Sequence, residues 1–281
     1  MQNIVIATPI LSDKAVLSSS ASPGSLPVSN LQTRSVKKVW RSLDATATFV
    51  VIDMLAPKAI NLVALIAHNG SSRSFGRVRA AASAAALTVT PGYDSGLKPL
   101  RSHQSGYDAT WAATVSDEQY GSLSKNMFLL WLGATPQTYR YWRIDITDPA
   151  SPNGYFDAGR LYLDYAWQPS TNKDYGTGQG MIDQSRDPRT VTSEPTPTPR
   201  PIKRYEEFTL SYMSEDEMYD HAFEIERLRG TTGDVLYLND PTATKHLQRR
   251  SIYGQMKSFQ PIVNSAFQIY QKTFRIEEIL P

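Results

Sequence analysis

The sequence predicts a mainly β protein with two domains joined by an extended linker. Short runs rich in β-branched and aromatic residues recur through the first half without amphipathic helices between them. All 5 Trp residues precede Gln168. A stretch with few large apolar side chains follows over residues 169–203. The length of 281 residues suits two domains that each bury a core.

Composition excludes several classes of protein. With 0 Cys, the chain cannot hold disulfides, thiolate zinc sites or iron–sulfur clusters. It has 29 basic and 27 acidic residues, and this net charge of +2 is too small to indicate nucleic acid as a partner. No uninterrupted apolar run approaches the roughly 20 residues that span a bilayer, so we expect no membrane span.

Residues 1–168 read as an antiparallel β-sandwich. An apolar N-terminal run at 4–7 lacks preceding basic residues and predicts a leading strand rather than an export signal. The alanine-rich residues 79–86 have helical propensity and leave strand and helix both open. Further strands are predicted at residues 48–54, 59–67, 75–80, 128–132, 139–146 and 158–165.

Several of these segments together resemble a known sandwich family. They are residues 30–32, 39–42, 60–69 and 141–146, followed by Gly-Arg-Leu-Tyr-Leu at 159–163. The pattern resembles a discoidin-type or galactose-binding-like jelly roll, and more narrowly the versions carried by minor tail and baseplate proteins of tailed bacteriophages. The resemblance covers roughly Asn30 to Trp167.

Residues 204–281 follow a different pattern. Alternation over 205–212 predicts a half-buried strand, and further strands are expected at 234–238, 248–259 and 265–280. Between them, Ser214 and Glu217 form a capping-box pattern and Gly230 is placed to end a helix, so one helix is expected at about 214–229.

The C-terminal order of strand, helix and strands resembles the tube-like β-barrel-plus-helix unit of phage tail tube, distal tail and hub proteins. The segments that carry this resemblance are 233–241 and 248–254. In distal tail proteins the ring-forming domain comes first, whereas here the order is reversed.

The segments before and after the end of the linker also differ in the sign of their net charge. Residues 204–281 hold 9 Lys+Arg and 12 Asp+Glu, which is net −3, whereas residues 1–203 hold 20 and 15, which is net +5. This difference supports domains at 1–168 and 204–281, with a Pro-, Gly- and Thr-rich linker at 169–203.

The sequence shows no catalytic or metal-binding constellation, and we predict neither an enzyme nor a cofactor. The histidines, at positions 68, 103, 221 and 246, lack metal-ligand spacing, and His68 is interpreted as a structural residue that closes a strand. Gly176–Gly180 lacks the flanking strand and helix of a phosphate loop and is interpreted as linker. Basic residues at 34, 37, 38, 41, 249 and 250 lack interleaved aromatics, so a surface or subunit interface is favoured over nucleic acid.

Ligand recognition is plausible in one segment, residues 92–120. It carries Tyr107, Trp111 and His103 among Asp and Ser residues, and aromatic rings beside carboxylates suit the faces and hydroxyls of sugars. The resembling fold also binds glycans through its loops. The competing interpretation is that these rings seal the end of the sandwich or pack on a neighbouring subunit.

The resemblances imply a structural component of a tailed-phage tail tip or baseplate. The expected partners are copies of itself in a trimeric or hexameric ring and other tail proteins, with assembly in the host cytoplasm and residence in the virion. The alternative is a carbohydrate-binding module that recognises a host surface glycan through Tyr107, Trp111 and His103.

Overall fold

The chain divides into two units in a computed structural model that describes residues 2–101, 126–185, 198–243 and 246–280. Unit 1 comprises Met1–Gln168 together with Leu238–Ser251. Unit 2 comprises Pro169–Tyr237 and Ile252–Leu280. Both are built mainly from strands, which confirms the predicted fold class.

Unit 1 is a β-sandwich of antiparallel sheets. Within the described residues, the larger sheet has the spatial order β2 (Val16–Ser19), β4 (Thr48–Ile60), β9 (Gln137–Thr147), β6 (Phe75–Ala81) and β7 (Tyr93–Pro99). The smaller sheet is β11 (Arg160–Asp164), β5 (Leu62–His68) and β8 (Asn126–Trp131). A short ladder joins β3 (Trp40–Arg41) to β10 (Asp157–Ala158), and β1 (Val5–Ala7) bridges to Trp167.

Alternating side chains fill the space between these sheets. Along β9, Trp142, Ile144 and Ile146 are buried and belong to the core, while their neighbours are less buried. Strand β5 is buried at every position, and Val63 and Leu65 contribute to the same core. Every second side chain is buried over residues 142–146 of β9, and every side chain is buried along β5. These two burial patterns match the two kinds of apolar pattern from which the strands are predicted.

The break between the fourth and fifth strands lies at Asn61, not in the interval around Pro57 that separates the predicted strands 48–54 and 59–67. Pro57 lies inside β4, whose pairing with β9 shifts register between Asp53 and Lys58. The buried Asn61 side chain donates to the Ala166 carbonyl over 2.9 Å and accepts from the Ala166 N–H over 2.6 Å. A bulge therefore accommodates the proline, while an asparagine turns the chain from one sheet to the other.

The alanine-rich segment is divided between a strand and a short helix. Residues up to Ala81 continue β6, and the helix α1 covers only Ala86–Val89. Pairing of β6 with both β9 and β7 overrides the helical propensity of alanine over the first part of the run. Short 3-10 turns lie at Ser12–Lys14 and Val28–Gln32.

Unit 2 is one sheet and one helix. The sheet runs β14 (Asp234–Leu238), β15 (Ser251–Phe259), β17 (Ile269–Glu278), β13 (Lys203–Met213) and β12 (Gly178–Ile182), with β16 (Val263–Ala266) paired to β17. The predicted strand at 265–280 is instead a hairpin, because the chain reverses at Phe267 and Gln268 between β16 and β17. Gln268 has a φ of 56°, as such a turn requires.

The helix predicted at about 214–229 is present over residues 215–229 and is named α2. It is α-helical at Glu215–Glu217, widens to a π-helix at Met218–Phe223, and returns to α-helix at Glu224–Arg229. The Ser214 hydroxyl accepts from the Glu217 N–H over 3.2 Å, as the capping pattern predicts. The Glu217 carboxylate differs from that pattern, because it accepts from the Ser170 N–H and hydroxyl.

Part of the predicted linker is a strand. Residues 178–182 form β12, which pairs antiparallel with β13 from Gly178 opposite Glu207 to Ile182 opposite Lys203. The linker interpretation of Gly176–Gly180 is therefore wrong for its second half. A low content of apolar residues does not prevent pairing at a sheet edge, where backbone hydrogen bonds supply the contact. Among the described residues, no helix is long and apolar enough to cross a membrane.

Candidate functional site

Three buried polar side chains meet at one end of the unit 1 sandwich. His68 ends β5 and lies opposite Asn126, the first residue of β8, in the antiparallel ladder. The positive charge of Arg101 lowers the pKa of His68, which means that the guanidinium lies close enough to the imidazole ring to act on it. We call His68, Arg101 and Asn126 the His68 cluster. Each is at most 5% exposed, which is unusual for polar side chains at a strand end.

A β-bulge aims His68 into the sandwich. Val63 and Leu65 face the core, so regular alternation would place Ala67 there next. Ala67 instead has a φ of 62°, and the pairing of β5 with β8 shifts between Ile66 and His68. The extra residue moves the core-facing position to His68, whose ring stacks on Phe156 at 5.7 Å. Left-handed backbone at a non-glycine residue carries strain, which proteins concentrate at functional sites.

The His68 ring is neutral and its tautomer is fixed. Burial lowers its pKa to about 3, the Arg101 charge lowers it as well, and the Leu100 carbonyl raises it. The Gly70 N–H donates to Nδ1 over 3.1 Å, so Nδ1 is the unprotonated nitrogen. The proton therefore lies on Nε2, which completes no hydrogen bond of good geometry among the described residues. The cluster thus presents a buried N–H donor.

Backbone and serine hydrogen bonds fix the loop that follows His68. Ser71 donates through its N–H and hydroxyl to the buried Asp148 carboxylate over 2.7 and 2.5 Å. Ser74 donates its hydroxyl to the Ser71 carbonyl, and the Ser74 carbonyl accepts from the Leu100 N–H over 3.0 Å. This connected set positions Leu100, and with it Arg101, beside the histidine ring.

Asn126 supplies the complementary acceptor. Its Oδ1 is buried and has no hydrogen-bond partner among the described residues. An unsatisfied buried polar atom costs about 1–3 kcal/mol, so its retention calls for an explanation. With the His68 Nε2–H as donor and Asn126 Oδ1 as acceptor, the cluster can both donate a hydrogen bond to a hydroxyl and accept one from it.

The three predicted contact residues, Tyr107, Trp111 and His103, lie outside the described residues. They belong to the segment 102–125, whose flanking residues are Arg101 and Asn126 of the cluster. The sequence predicts a structural role for His68 and indicates no role for Arg101 or Asn126. Their position at the two ends of the aromatic segment was the available signal, but the pairing of Asn126 with His68 could not be read from the sequence.

Several other charged side chains among the described residues of unit 1 form ion pairs. On the larger sheet, Asp145 binds Arg79 at 2.6 Å and Arg143 at 2.7 Å. Arg41, from the predicted basic cluster, forms a bidentate pair with Asp157 and lies 3.7 Å from the Tyr155 ring centroid. Across the described ranges, no group of three His, Asp or Glu residues is arranged to hold a metal ion.

Comparisons with known proteins return similar solved structures only. No protein-family model and no curated protein matches the chain. The family 32 carbohydrate-binding module of C. perfringens NanJ in complex with galactose is 11% identical, with a TM-score of 0.38, and the match covers 56% of this chain and 98% of that one.

The lectin domain of lectinolysin complexed with Lewis B antigen gives the same values: 11% identity, a TM-score of 0.38 and coverage of 56% and 98%. The family 32 module of AlyQ in complex with 4,5-unsaturated mannuronic acid is 18% identical, with a TM-score of 0.37 and coverage of 53% and 94%. TM-scores of this size establish no relationship by themselves. The case for a function therefore depends on the geometry of the His68 cluster.

Proposed function

We propose that unit 1 binds a carbohydrate at the His68 cluster, without catalysing a reaction on it. The observation that carries the proposal is a pair of buried atoms on adjacent strands: the Nε2–H of His68, whose contact with the Leu100 carbonyl falls short of a well-aligned hydrogen bond, and Oδ1 of Asn126, which has no hydrogen-bond partner among the described residues. A sugar hydroxyl can accept from the first and donate to the second. The segment 102–125 adds the aromatic residues predicted for a sugar face.

The chemistry of the cluster favours binding over catalysis. None of its three side chains is a carboxylate, so the cluster itself contains no acid–base pair for glycoside hydrolysis. A histidine whose pKa is lowered to about 3 is a poor proton acceptor near neutral pH. The neutral His68 ring instead offers a hydrogen-bond donor with a fixed direction, and this direction contributes to selectivity for a particular arrangement of sugar hydroxyls.

A glycan array with the full chain tests the proposal. We expect wild-type protein to bind a subset of neutral glycans, and Asn126→Ala to weaken that binding about tenfold, equivalent to one neutral hydrogen bond of about 1.4 kcal/mol. Trp111→Ala tests the predicted aromatic contact in the same assay. No glycan binding by wild-type protein would contradict the proposal.

Tyr165→Ala is the matched control. Tyr165 is exposed and follows Asp164, which pairs with Leu62 at the opposite end of β5 from His68. Near-ultraviolet circular dichroism checks that each variant is folded, and Asn126→Ser replaces Asn126→Ala if the latter unfolds. Equal binding by all folded variants would place the glycan elsewhere.

A structural role in a phage tail tip is a second candidate, favoured by apolar side chains exposed on unit 2. On α2, Tyr219, Phe223 and Leu228 are exposed, whereas Met218 and Ala222 of the same helix are buried. Phe267 at the turn of the β16–β17 hairpin is 88% exposed. Apolar surface of this kind is typical of subunit contacts.

Sedimentation velocity distinguishes this candidate from glycan recognition alone. A ring-forming tail protein should show trimers or hexamers that Phe223→Ser and Phe267→Ser disrupt. A concentration-independent monomer, with no binding to tail proteins, would contradict the structural role and leave the glycan proposal intact.

A further inference from the structure

A polar groove lies on the outer face of the unit 2 sheet. Along β13, burial alternates so that Phe208 and Leu210 face the core and Tyr205, Glu207 and Thr209 face outward. Gln271 and Thr273 of β17 stand beside them on the same face, where Thr209 pairs with Thr273. The segment 174–178, which precedes β12, forms the remaining wall. The groove encloses about 390 Å³, within the range of small-ligand sites.

Hydrogen bonds hold the wall segment against the sheet. The Asp174 N–H donates to the Thr209 carbonyl over 2.9 Å, and the Ser211 hydroxyl donates to the Asp174 carboxylate. Gly176 has a φ of 87°, so the turn after Tyr175 needs a glycine. Tyr175 is thereby left fully exposed at the rim of the groove. A wall fixed in this way loses little conformational entropy when a ligand binds.

Tyr205, which also lines the groove, is held in place as well. A Cβ atom on Gly180 would lie 2.5 Å from the Tyr205 ring, so the glycine allows this ring to lie directly on β12. The Arg275 guanidinium lies 4.8 Å from the centroid of the same ring. The groove therefore has one fixed aromatic side chain within it and one exposed aromatic side chain at its rim.

The lining indicates the chemical class of ligand. Its side chains are tyrosine, threonine, glutamine and carboxylate, and Lys, Arg and His are absent from the described lining residues, which disfavours an anion. The Glu207 carboxylate lies 3.5 Å from the Arg275 guanidinium, which partly compensates its charge, and the Asp174 carboxylate accepts from the Ser211 hydroxyl. Hydroxyls and amides that both donate and accept suit a neutral ligand rich in hydroxyl groups.

We propose that this groove binds a neutral saccharide, with Tyr175 against a sugar face and with Gln271 bonded to its hydroxyls. The Thr209 and Thr273 hydroxyls bond each other over 2.8 Å, and each keeps the capacity for a further hydrogen bond to the saccharide. The site lies on unit 2 and shares no residue with the His68 cluster. It therefore does not depend on the function proposed for unit 1, and it would give the chain two independent saccharide sites.

Saturation-transfer and 15N-correlation NMR with the full chain test the proposal. The probes are methyl β-galactoside, methyl α-glucoside, N-acetylglucosamine and cellobiose, with choline and glucose 6-phosphate as a cationic and an anionic comparison. We use the Asn126→Ala background, so that a contribution from the His68 cluster is weakened. We expect at least one neutral saccharide to shift the backbone signals of Thr209, Gln271 and Thr273.

Tyr175→Ala should weaken that binding about tenfold, because an exposed aromatic contact is lost without cost to folding. Tyr212→Ala is the matched control, since Tyr212 is also exposed on β13 but does not line the groove. Gln271→Ala should weaken binding severalfold. Absence of saccharide binding, binding of choline or glucose 6-phosphate alone, or equal binding by Tyr175→Ala and wild-type protein would overturn the proposal.

Discussion

The Ser12 hydroxyl donates to the buried Asp164 carboxylate over 2.6 Å, across 152 residues of sequence. The Leu11 N–H donates to the other oxygen over 2.5 Å. Asp164 ends β11 and is 1% exposed, so this carboxylate ties the N-terminal turn to the smaller sheet of unit 1. Because the Asp164 carboxyl group is buried, the hydrogen bonds that it makes to the N-terminal turn are sensitive to pH.

Asp164 predicts that unit 1 loses stability as the pH rises towards neutrality. Burial raises the pKa of this carboxyl to about 7, although hydrogen bonds from Ser12 and Leu11 oppose the shift. The ordinary pKa is 3.8, so between these values the folded state holds a proton that the unfolded state has released. Stability contributed by this group is therefore full below the ordinary pKa and falls by about 1.4 kcal/mol per pH unit up to the raised one.

Asp164→Asn isolates this effect. We measure the free energy of unfolding by urea titration for wild type and variant across a pH series. The stability difference, variant minus wild type, should rise between about pH 4 and about pH 7 and then level off. Asn mimics the protonated acid, and the Ser12 hydroxyl can rotate to accept from its amide. A difference that does not change with pH would contradict the raised pKa.

The ion pair between Lys272 and Glu226 joins α2 to the unit 2 sheet. Lys272 is 3% exposed, and its Nζ lies 2.8 Å from Glu226 and 3.2 Å from the Gln260 carbonyl. Burial raises the pKa of Glu226 despite the opposing effect of Lys272. Removing one partner from such a pair leaves an uncompensated charge.

Glu226→Gln should therefore destabilise unit 2 by about 3–5 kcal/mol, because it strands the Lys272 ammonium in the sheet. The double variant Glu226→Leu with Lys272→Met should recover most of that loss. Urea unfolding of wild type, Glu226→Leu, Lys272→Met and the double variant completes a double-mutant cycle, with Glu226→Gln measured beside it. A double variant no more stable than Glu226→Gln would show that the pair is not the source of the effect.

Ser214 predicts a smaller, local effect at the start of α2. Its hydroxyl accepts from the Glu217 N–H, so Ser214→Ala should lower the free energy of unfolding by about 1 kcal/mol. Ser170→Ala tests the second contact, because Ser170 donates to the Glu217 carboxylate over 2.9 Å at an exposed position. Ser170→Ala should lower the free energy of unfolding less than Ser214→Ala does. A larger loss in Ser170→Ala would show that Ser170, and not Ser214, stabilises the start of the helix.

Elements specified by neighbouring residues could be predicted from the sequence. The helix 215–229 has its cap and its terminating Gly230 within the same stretch of chain, and the strands of unit 1 show period-2 or continuous apolar patterns. Features that depend on a residue far away in the sequence could not be predicted in this way. β12 exists because β13 lies beside it, and the turn at Asn61 depends on Ala166.

The candidate site is one of the features that depend on residues far apart in the sequence. The direction of the His68 side chain depends on one bulge residue, Ala67, whose backbone conformation no local pattern indicates. The meeting of His68 and Asn126 depends on the pairing of β5 with β8. The sequence predicts an aromatic loop at residues 92–120, the first part of which is strand β7, and only the fold brings Arg101 and Asn126 to the histidine.

Gly70 predicts a coupled loss of binding and stability at the His68 cluster. A Cβ atom there would lie 2.8 Å from the Ser74 hydroxyl and 3.1 Å from Nδ1 of His68, so Gly70→Ala must displace the N–H that fixes the tautomer. We expect about tenfold weaker glycan binding and a loss of about 1–3 kcal/mol in unfolding free energy, measured by calorimetric titration and urea unfolding. Gly24→Ala is the matched control, because its Cβ would meet nothing within 4 Å. Equal behaviour of the two variants would show that this glycine does not position His68.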